Sequence, residues 1–455
     1  MRSLPRKVQL VLSFLFAGMY FAFPLQAGEL GLWDCVRLAV TRHAVAKAGN
    51  WRVVQAQASV DEDRTAFKPE LSFGAHYVAR SYVPEIPIPT GPIPLGDHHD
   101  AGFTVEAGHL LYDWDRRKNR LEADLKLKKA NLQSLRALRE TLALEAGTGY
   151  LRLLAARREQ KIAERSVEIA RTHHEHLLAF HRSGLTTWDE VLKAQVHLEQ
   201  LRVMLSRSSN QVRLARADLL QRISMSLDSK ASFSDRVEGL PLEGSGEQGL
   251  DSVLARRPDL RAYNARLASL ESLAETFATD DKPAVRMFAS ASFARPGVDQ
   301  FRNEWIGYGR IGIGLDWQFF DWGRKDYRVA KVKAQWEETL AERRVLSQQI
   351  ALQLERAKLA EQEAADRLSL AGKAQEAAKE HFRIVSARFD QGQLTNTEYL
   401  DAEENVTVSD LELSHTELDL ALARWRLAYT EGILVAEIDS RWPEVEMETE
   451  EIFSK

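Results

Sequence analysis

The sequence predicts a mixed, mainly α-helical chain made of two tandem copies of one unit: a helix, two strands, then a very long helical hairpin. Three observations carry this. Residues 95–240 and 297–442 hold no proline, two gaps of about 145 residues each. Average usage is near 5%, and proline breaks a helix by removing a hydrogen bond and clashing with the preceding turn. Four segments alternate apolar residues with a period of two, as strands do. Finally, Leu111-Tyr112-Asp113-Trp114-Asp115-Arg116-Arg117 recurs as Phe319-Phe320-Asp321-Trp322-Gly323-Arg324-Lys325, an offset of 208.

The N-terminus reads as an address. Arg2, Arg6 and Lys7 precede a mostly apolar run over residues 8–23, and Ala27 precedes Gly28. This is the pattern of a secretory signal peptide, placed at residues 1–27; the run is shorter than the roughly 20 residues a spanning helix needs. Its removal takes the net charge from −5 to −8. Cys35 follows bulky and acidic neighbours, Leu32, Trp33 and Asp34, which argues against a lipidated N-terminus. No later apolar run approaches 18 residues, so an exported chain without a transmembrane helix is expected.

The first repeat is expected over residues 28–225. A helix covers about 32–67. One strand carries Leu71, Phe73, Ala75, Tyr77 and Ala79, and the next Phe103, Val105, Ala107, His109 and Leu111. Five prolines between residues 84 and 94 form a loop between them. A helix then runs from Trp114 to His181, its apolar residues Leu121, Leu125, Leu132, Leu135 and Leu142 in heptad-like steps. Gly184 is the expected C′ residue. Thr187 with Glu190 forms a capping-box pattern for the returning helix.

A linker rich in Ser, Gly, Asp and Glu is expected at 226–249, and the second repeat at 250–436. Its helix covers about 249–279. Its strands carry Val285, Met287, Ala289, Ala291 and Phe293, then Ile311, Ile313, Leu315, Trp317 and Phe319. Gly392, Thr395 and Glu398 repeat the turn and cap. An acidic, solvated tail is expected at 437–455. Each strand is about 9–11 residues, the length of a tilted strand crossing a bilayer. Four strands cannot close a barrel, and an open edge in lipid leaves backbone groups unpaired. Three chains would supply twelve, so a homotrimer is the economical solution.

Composition excludes several classes. One cysteine rules out a disulfide framework, a Cys-based zinc site and an iron–sulfur cluster. A slightly acidic balance gives no electrostatic reason to expect nucleic acid. No phosphate loop or nucleophile elbow is present, so neither enzyme activity nor a cofactor is expected. His173 and His176 lie at helical i, i+3 spacing, near His174 and His181, but lack the intervening glutamate of a zinc-helix motif; solvated helix histidines are the expected reading. Trp114, Trp317 and Trp322 suit either membrane-interface anchors or packing between barrel and helices.

These features together resemble the TolC family of outer-membrane efflux and secretion channels. The carriers are the tandem repeat, the two strand-ending motifs, the tip Arg388-Phe389-Asp390-Gln391-Gly392-Gln393-Leu394-Thr395-Asn396-Thr397-Glu398-Tyr399-Leu400-Asp401, and Arg256-Arg257-Pro258-Asp259-Leu260 at the start of the second repeat. The resemblance implies a homotrimer in the outer membrane of a Gram-negative bacterium. It implies a 12-stranded β-barrel continued by a long periplasmic α-barrel. It also implies docking onto a periplasmic adaptor and an inner-membrane transporter, in a tripartite efflux or type I secretion system. By motif, the acidic aperture falls on Glu398 and Asp401. Adaptor docking falls on the tips, at Gly184, Leu185 and Thr186 and at Gly392, Gln393 and Leu394. Leu394 stands where the family has a basic residue, and Glu190 and Lys193 stand where the first repeat would carry the acidic pair. From spacing alone Glu398 and Asp401 are ordinary solvated helix residues. A periplasmic coiled-coil adaptor is the rival reading, and it would lack the four strands.

Overall fold

The computed structural model describes residues 29–236, 249–299 and 301–442. The expected signal segment, part of the linker (237–248) and the tail from 443 onward lie outside the described residues. In chain order the elements are α1 (Leu32–Arg42), α2 (Ala44–Thr65), β1 (Glu70–Ala79), β2 (Glu85–Ile86), β3 (Ile93–Pro94), β4 (His99–Tyr112), α3 (Arg116–Arg182), α4 (Trp188–Arg222), α5 (Leu250–Arg256), α6 (Pro258–Ala278), β5 (Ala284–Arg295), β6 (Ile306–Asp316), α7 (Arg324–Asp390), α8 (Asn396–Thr430) and α9 (Ile433–Arg441).

Each repeat's opening helix, expected as one, is two. Arg257 is extended (φ −57°, ψ 122°), as the residue before Pro258 must be. At the matching break His43 is extended without a following proline, and its imidazole Nδ1 accepts from the Val45 amide at 3.3 Å. That cap is made by a side chain no propensity scale favours there, so the sequence did not announce it.

The four long strands form one antiparallel sheet in the order β1-β4-β5-β6. Phe73 pairs with Val105, Val105 with Ala291, and Ala291 with Gly309. The register therefore puts the odd-numbered apolar residues of all four strands on one face. Ser72, Thr104, Glu106, Ser290, Ser292 and Arg310 share the other. The proline-rich segment carries the small β2–β3 hairpin. β6 stops at Asp316, three residues short of the expected end at Phe319, and Trp317 there donates its indole N–H to the Asp281 carbonyl at 2.9 Å.

The repeated Asp-Trp motif is the hinge between strand and helix. Trp114 and Asp115 have φ of 57° and 62°, and Trp322 and Gly323 have 56° and 78°. Two successive left-handed residues cost backbone energy, which glycine relieves in the second copy. Asp113 offsets the cost by accepting from the amide (3.0 Å) and guanidinium (2.9 Å) of Arg117. Asp321 does the same for the amides of Gly323 and Lys325, both at 2.9 Å. The motif recurs because the turn needs that carboxylate.

α3 and α7 are 67 residues each, about 100 Å at 1.5 Å per residue. α3 packs first against α2 and α6 and then, farther from the sheet, against α4; α7 packs against α6 and then α8. α3 also meets α8, which joins the two hairpins. The main core lies midway along the helices, around Tyr150, Leu151, Leu219, Trp425 and Leu434. α1 closes it from one side. Cys35 is fully buried there, and burial pushes its thiol up to about 12.

Two segments expected to lie outside the repeats, the linker and the solvated tail, join this core. In the linker, Phe233 is buried, Leu30 and Phe233 form a parallel bridge, and Arg216 donates to the Ser229 and Ala231 carbonyls. The acidic tail was expected from residue 437, yet α9 continues to Arg441 with Ile438 buried, and Trp442 lies edge-on to Trp33. Isolated apolar residues in a charged stretch carry no periodic signal, which is why the sequence hid both.

Candidate functional site

The sheet presents a broad apolar face to its surroundings. Ile311 is 80% exposed, and Leu71, Phe73, Val105, Ile313 and Leu315 are exposed beside it. Burial inside one protomer does not explain the alternation, because nothing among the described residues covers this face. Among the described residues both outer strands, β1 and β6, have a free edge. Below the sheet an aromatic group surrounds the hinge: Tyr112, Trp114, Trp317, Phe319, Phe320 and Trp322 are all exposed. Trp114 donates its indole N–H to the Pro283 carbonyl at 2.9 Å. The Trp114 and Trp317 indoles are thus both bonded to the connection between α6 and β5. No helix among the described residues is long and apolar enough to cross a membrane.

At the far end, the two tips are built alike. Gly184 and Gly392 have φ of +74° and +71°. The Leu185 amide reaches the Phe180 carbonyl at 2.9 Å and the Gln393 amide reaches that of Arg388 at 3.0 Å, the six-to-one bond that ends a helix on a left-handed residue. The tips then diverge. Leu185 is 75% exposed and Trp188 is exposed near it, whereas Leu394 is half-buried against the Val385 and Tyr399 cluster. Thr186 is half-buried, and its carbonyl lies 3.1 Å from His181 Nδ1.

The expected capping boxes form in one repeat only. Glu398 Oε2 accepts from the Thr395 amide (2.7 Å) and hydroxyl (2.8 Å), and Thr395 Oγ1 accepts from the Glu398 amide (3.3 Å). These bonds, the backbone one foremost, hold the Glu398 carboxyl below its ordinary range. Thr187 makes no side-chain cap; Glu190 turns instead to Lys193, 3.1 Å away. Glu398 and Asp401 are both exposed, lie on one face of α8, and take no salt bridge among the described residues.

Sequence reasoning missed the seam where α3 and α4 meet α8. His173, expected on a solvated face, is 4% exposed and stacks on Tyr399 with centroids 3.9 Å apart. Its Nε2 lies 2.7 Å from Asn396 Oδ1, while Asn396 Nδ2 donates to the Glu190 carbonyl at 3.3 Å. That chain requires the Nε2–H tautomer, with His173 donating. Burial pushes its pKa down from 6.5. One turn on, Glu403 is 2% exposed, with His197 Nε2 3.5 Å from its carboxylate. A usable signal existed: Ala163, Ser166, Ala170, His173 and Leu177 follow three- and four-residue steps and are all buried, so His173 belonged to the packed stripe. Among the described residues no group of three potential metal ligands comes together.

The family model described as outer membrane efflux protein matches residues 37–224 and 249–430. Among solved structures, the Campylobacter jejuni CmeC outer membrane channel is 16% identical, aligning over 88% of this chain and 85% of that one with a TM-score of 0.74. The outer membrane protein VceC from Vibrio cholerae gives 17% identity, 88% and 96% coverage, and a TM-score of 0.74. The open state of the Neisseria gonorrhoeae MtrE outer membrane channel gives 18%, 88% and 89%, and 0.70. At such identities the likeness is one of fold. No curated protein matches the sequence.

Proposed function

The chain belongs to the outer membrane efflux protein family, and from that premise we propose that three copies close their sheets into one 12-stranded barrel and their hairpins into one α-barrel, making an efflux conduit across the outer membrane and periplasm. The observation that carries this reading is the sheet: four strands, free at both edges, with an apolar face that nothing among the described residues covers. An unpaired edge in lipid costs several kcal/mol per backbone group, and pairing β1 of one copy with β6 of the next removes it. The helices support the same closure. The outward stripes Val196, Val203 and Leu214 on α4, and Val345, Leu352, Leu359 and Leu370 on α7, are exposed and follow steps of seven and eleven residues, the spacing of helices wound around each other.

The partners are a periplasmic adaptor and an inner-membrane transporter, as for a tripartite efflux system. The tips offer the docking surface through Gly184, Leu185 and Thr186 and through Gly392, Gln393 and Leu394, with Leu185 the most exposed apolar contact. Glu398 and Asp401 form the aperture: three copies of each around one axis make a cation-favouring constriction. A coiled-coil adaptor, the rival reading, has no use for a lipid-length apolar sheet. The test is reconstitution of the detergent-purified protein into planar bilayers, with its mass measured by light scattering. A trimer with cation-selective conductance is expected, and Glu398→Ala with Asp401→Ala should raise leak and reduce cation preference. A monomer without conductance overturns the reading; unchanged selectivity in the variant removes the aperture assignment alone.

A further inference from the structure

The contact between the two hairpins follows one face of α8, and its lower part is built from polar and aromatic groups, with one buried imidazole, His173, among them. From the tip upward it runs through Asn396, Tyr399, Glu403 and Thr407, facing Glu190 and His197 of α4 and His173 and Ser166 of α3. We propose that this seam is a proton-sensitive latch and that His173 is the residue through which acid loosens it. The inference rests on the channel reading above, since it concerns how the conduit's periplasmic end opens.

His173 meets α8 through a neutral ring. Its Nε2–H donates to Asn396 Oδ1, its face lies on Tyr399, and Phe389 of α7 closes the side at 5.2 Å. An imidazolium at that position loses its water and finds little to replace it. The Tyr399 phenol is itself pushed up to about 12 by burial and stays neutral, with Asp390 of α7 acting on it from beyond. His176 on α3 and His197 on α4 disfavour the charged ring of His173, while Glu403 on α8 favours it. Burial outweighs these, so the pKa of His173 is lower in the closed seam than in water. The sign follows: the closed seam is at full strength above the ordinary imidazole value of 6.5 and weakens as pH falls below it.

His173→Gln keeps a side-chain N–H for Asn396 but cannot titrate.

The experiment measures open probability of the full-length channel in planar bilayers between pH 7.5 and pH 5.5, with trimer formation of each variant checked by light scattering. The expected result is that the ratio of wild-type to His173→Gln open probability rises several-fold as pH falls. Wild-type and His173→Gln profiles that stay parallel across the range overturn the latch even though the channel conducts. Absence of conductance in every form, wild type included, overturns the channel reading instead. If His173→Gln does not assemble, His173→Phe, which keeps the stacked ring, takes its place. It should conduct more than wild type at pH 7.5 and converge with it at pH 5.5; a constant offset overturns the proposal.

Discussion

Above residue 418 the seam along α8 is apolar: Leu418, Ala421, Trp425 and Ala428 sink into the central core. Below it the same three- and four-residue stripe turns to Thr407, Glu403, Tyr399 and Asn396. The upper part is held by shape. Gly147 on α3 leaves the space in which the Trp425 indole sits, since a Cβ there would fall 2.2 Å from Nε1, and that nitrogen donates to the Leu144 carbonyl at 3.3 Å. The lower part is held by hydrogen bonds worth about 1 kcal/mol each net and by the stacked ring of His173. On the latch proposal, one helix joins a fixed contact to a releasable one.

This contrast sets the order of expected effects. Trp425→Ala should be the most damaging, about 3–5 kcal/mol for a fully buried Trp, seen as a large drop in melting temperature and in trimer yield. Gly147→Ala should cost about 1–3 kcal/mol by overpacking, with the ring displaced and its fluorescence altered. If either is tolerated as well as a change in the lower seam, the upper contact is not the fixed one. The smallest effects belong to the tips and compare the two repeats. Thr395→Ala removes a formed cap and should cost about 1 kcal/mol, whereas Thr187→Ala removes none and should leave the melting temperature unchanged. Equal effects would mean that the two caps do not differ in solution.

Much of this fold was legible. Alternation fixed the four strands and their faces, because a period of two admits one arrangement in a sheet with one apolar side. The proline gaps located α3 and α7, and the 208-residue offset found both hinges. What stayed hidden depended on tertiary partners. Phe233 and Ile438 are apolar residues in charged surroundings, buried only because α3, α4 and α8 leave room for them. Thr187 and Thr395 head identical capping patterns, yet Glu190 turns to a lysine one helical turn on, and Glu398 has no such choice because Asp401 stands at that position. For the candidate site, the family resemblance pointed to Glu398 and Asp401, spacing alone reading them as solvated helix residues, and the proposed aperture needs three chains around one axis. His173 was misplaced on a solvated face because a histidine in a charged helix reads as surface until the neighbouring helix is known.

A disulfide across the lower seam tests the central claim most directly. Ser166 Oγ and Thr407 Oγ1 are 2.9 Å apart across it, and the chain's single cysteine, Cys35, is buried and unreactive, so Ser166→Cys with Thr407→Cys places one new pair at the releasable contact. The account predicts that oxidation lowers channel conductance in planar bilayers to a small fraction of its value and that a reductant restores it. Full conductance with the bond formed would contradict it.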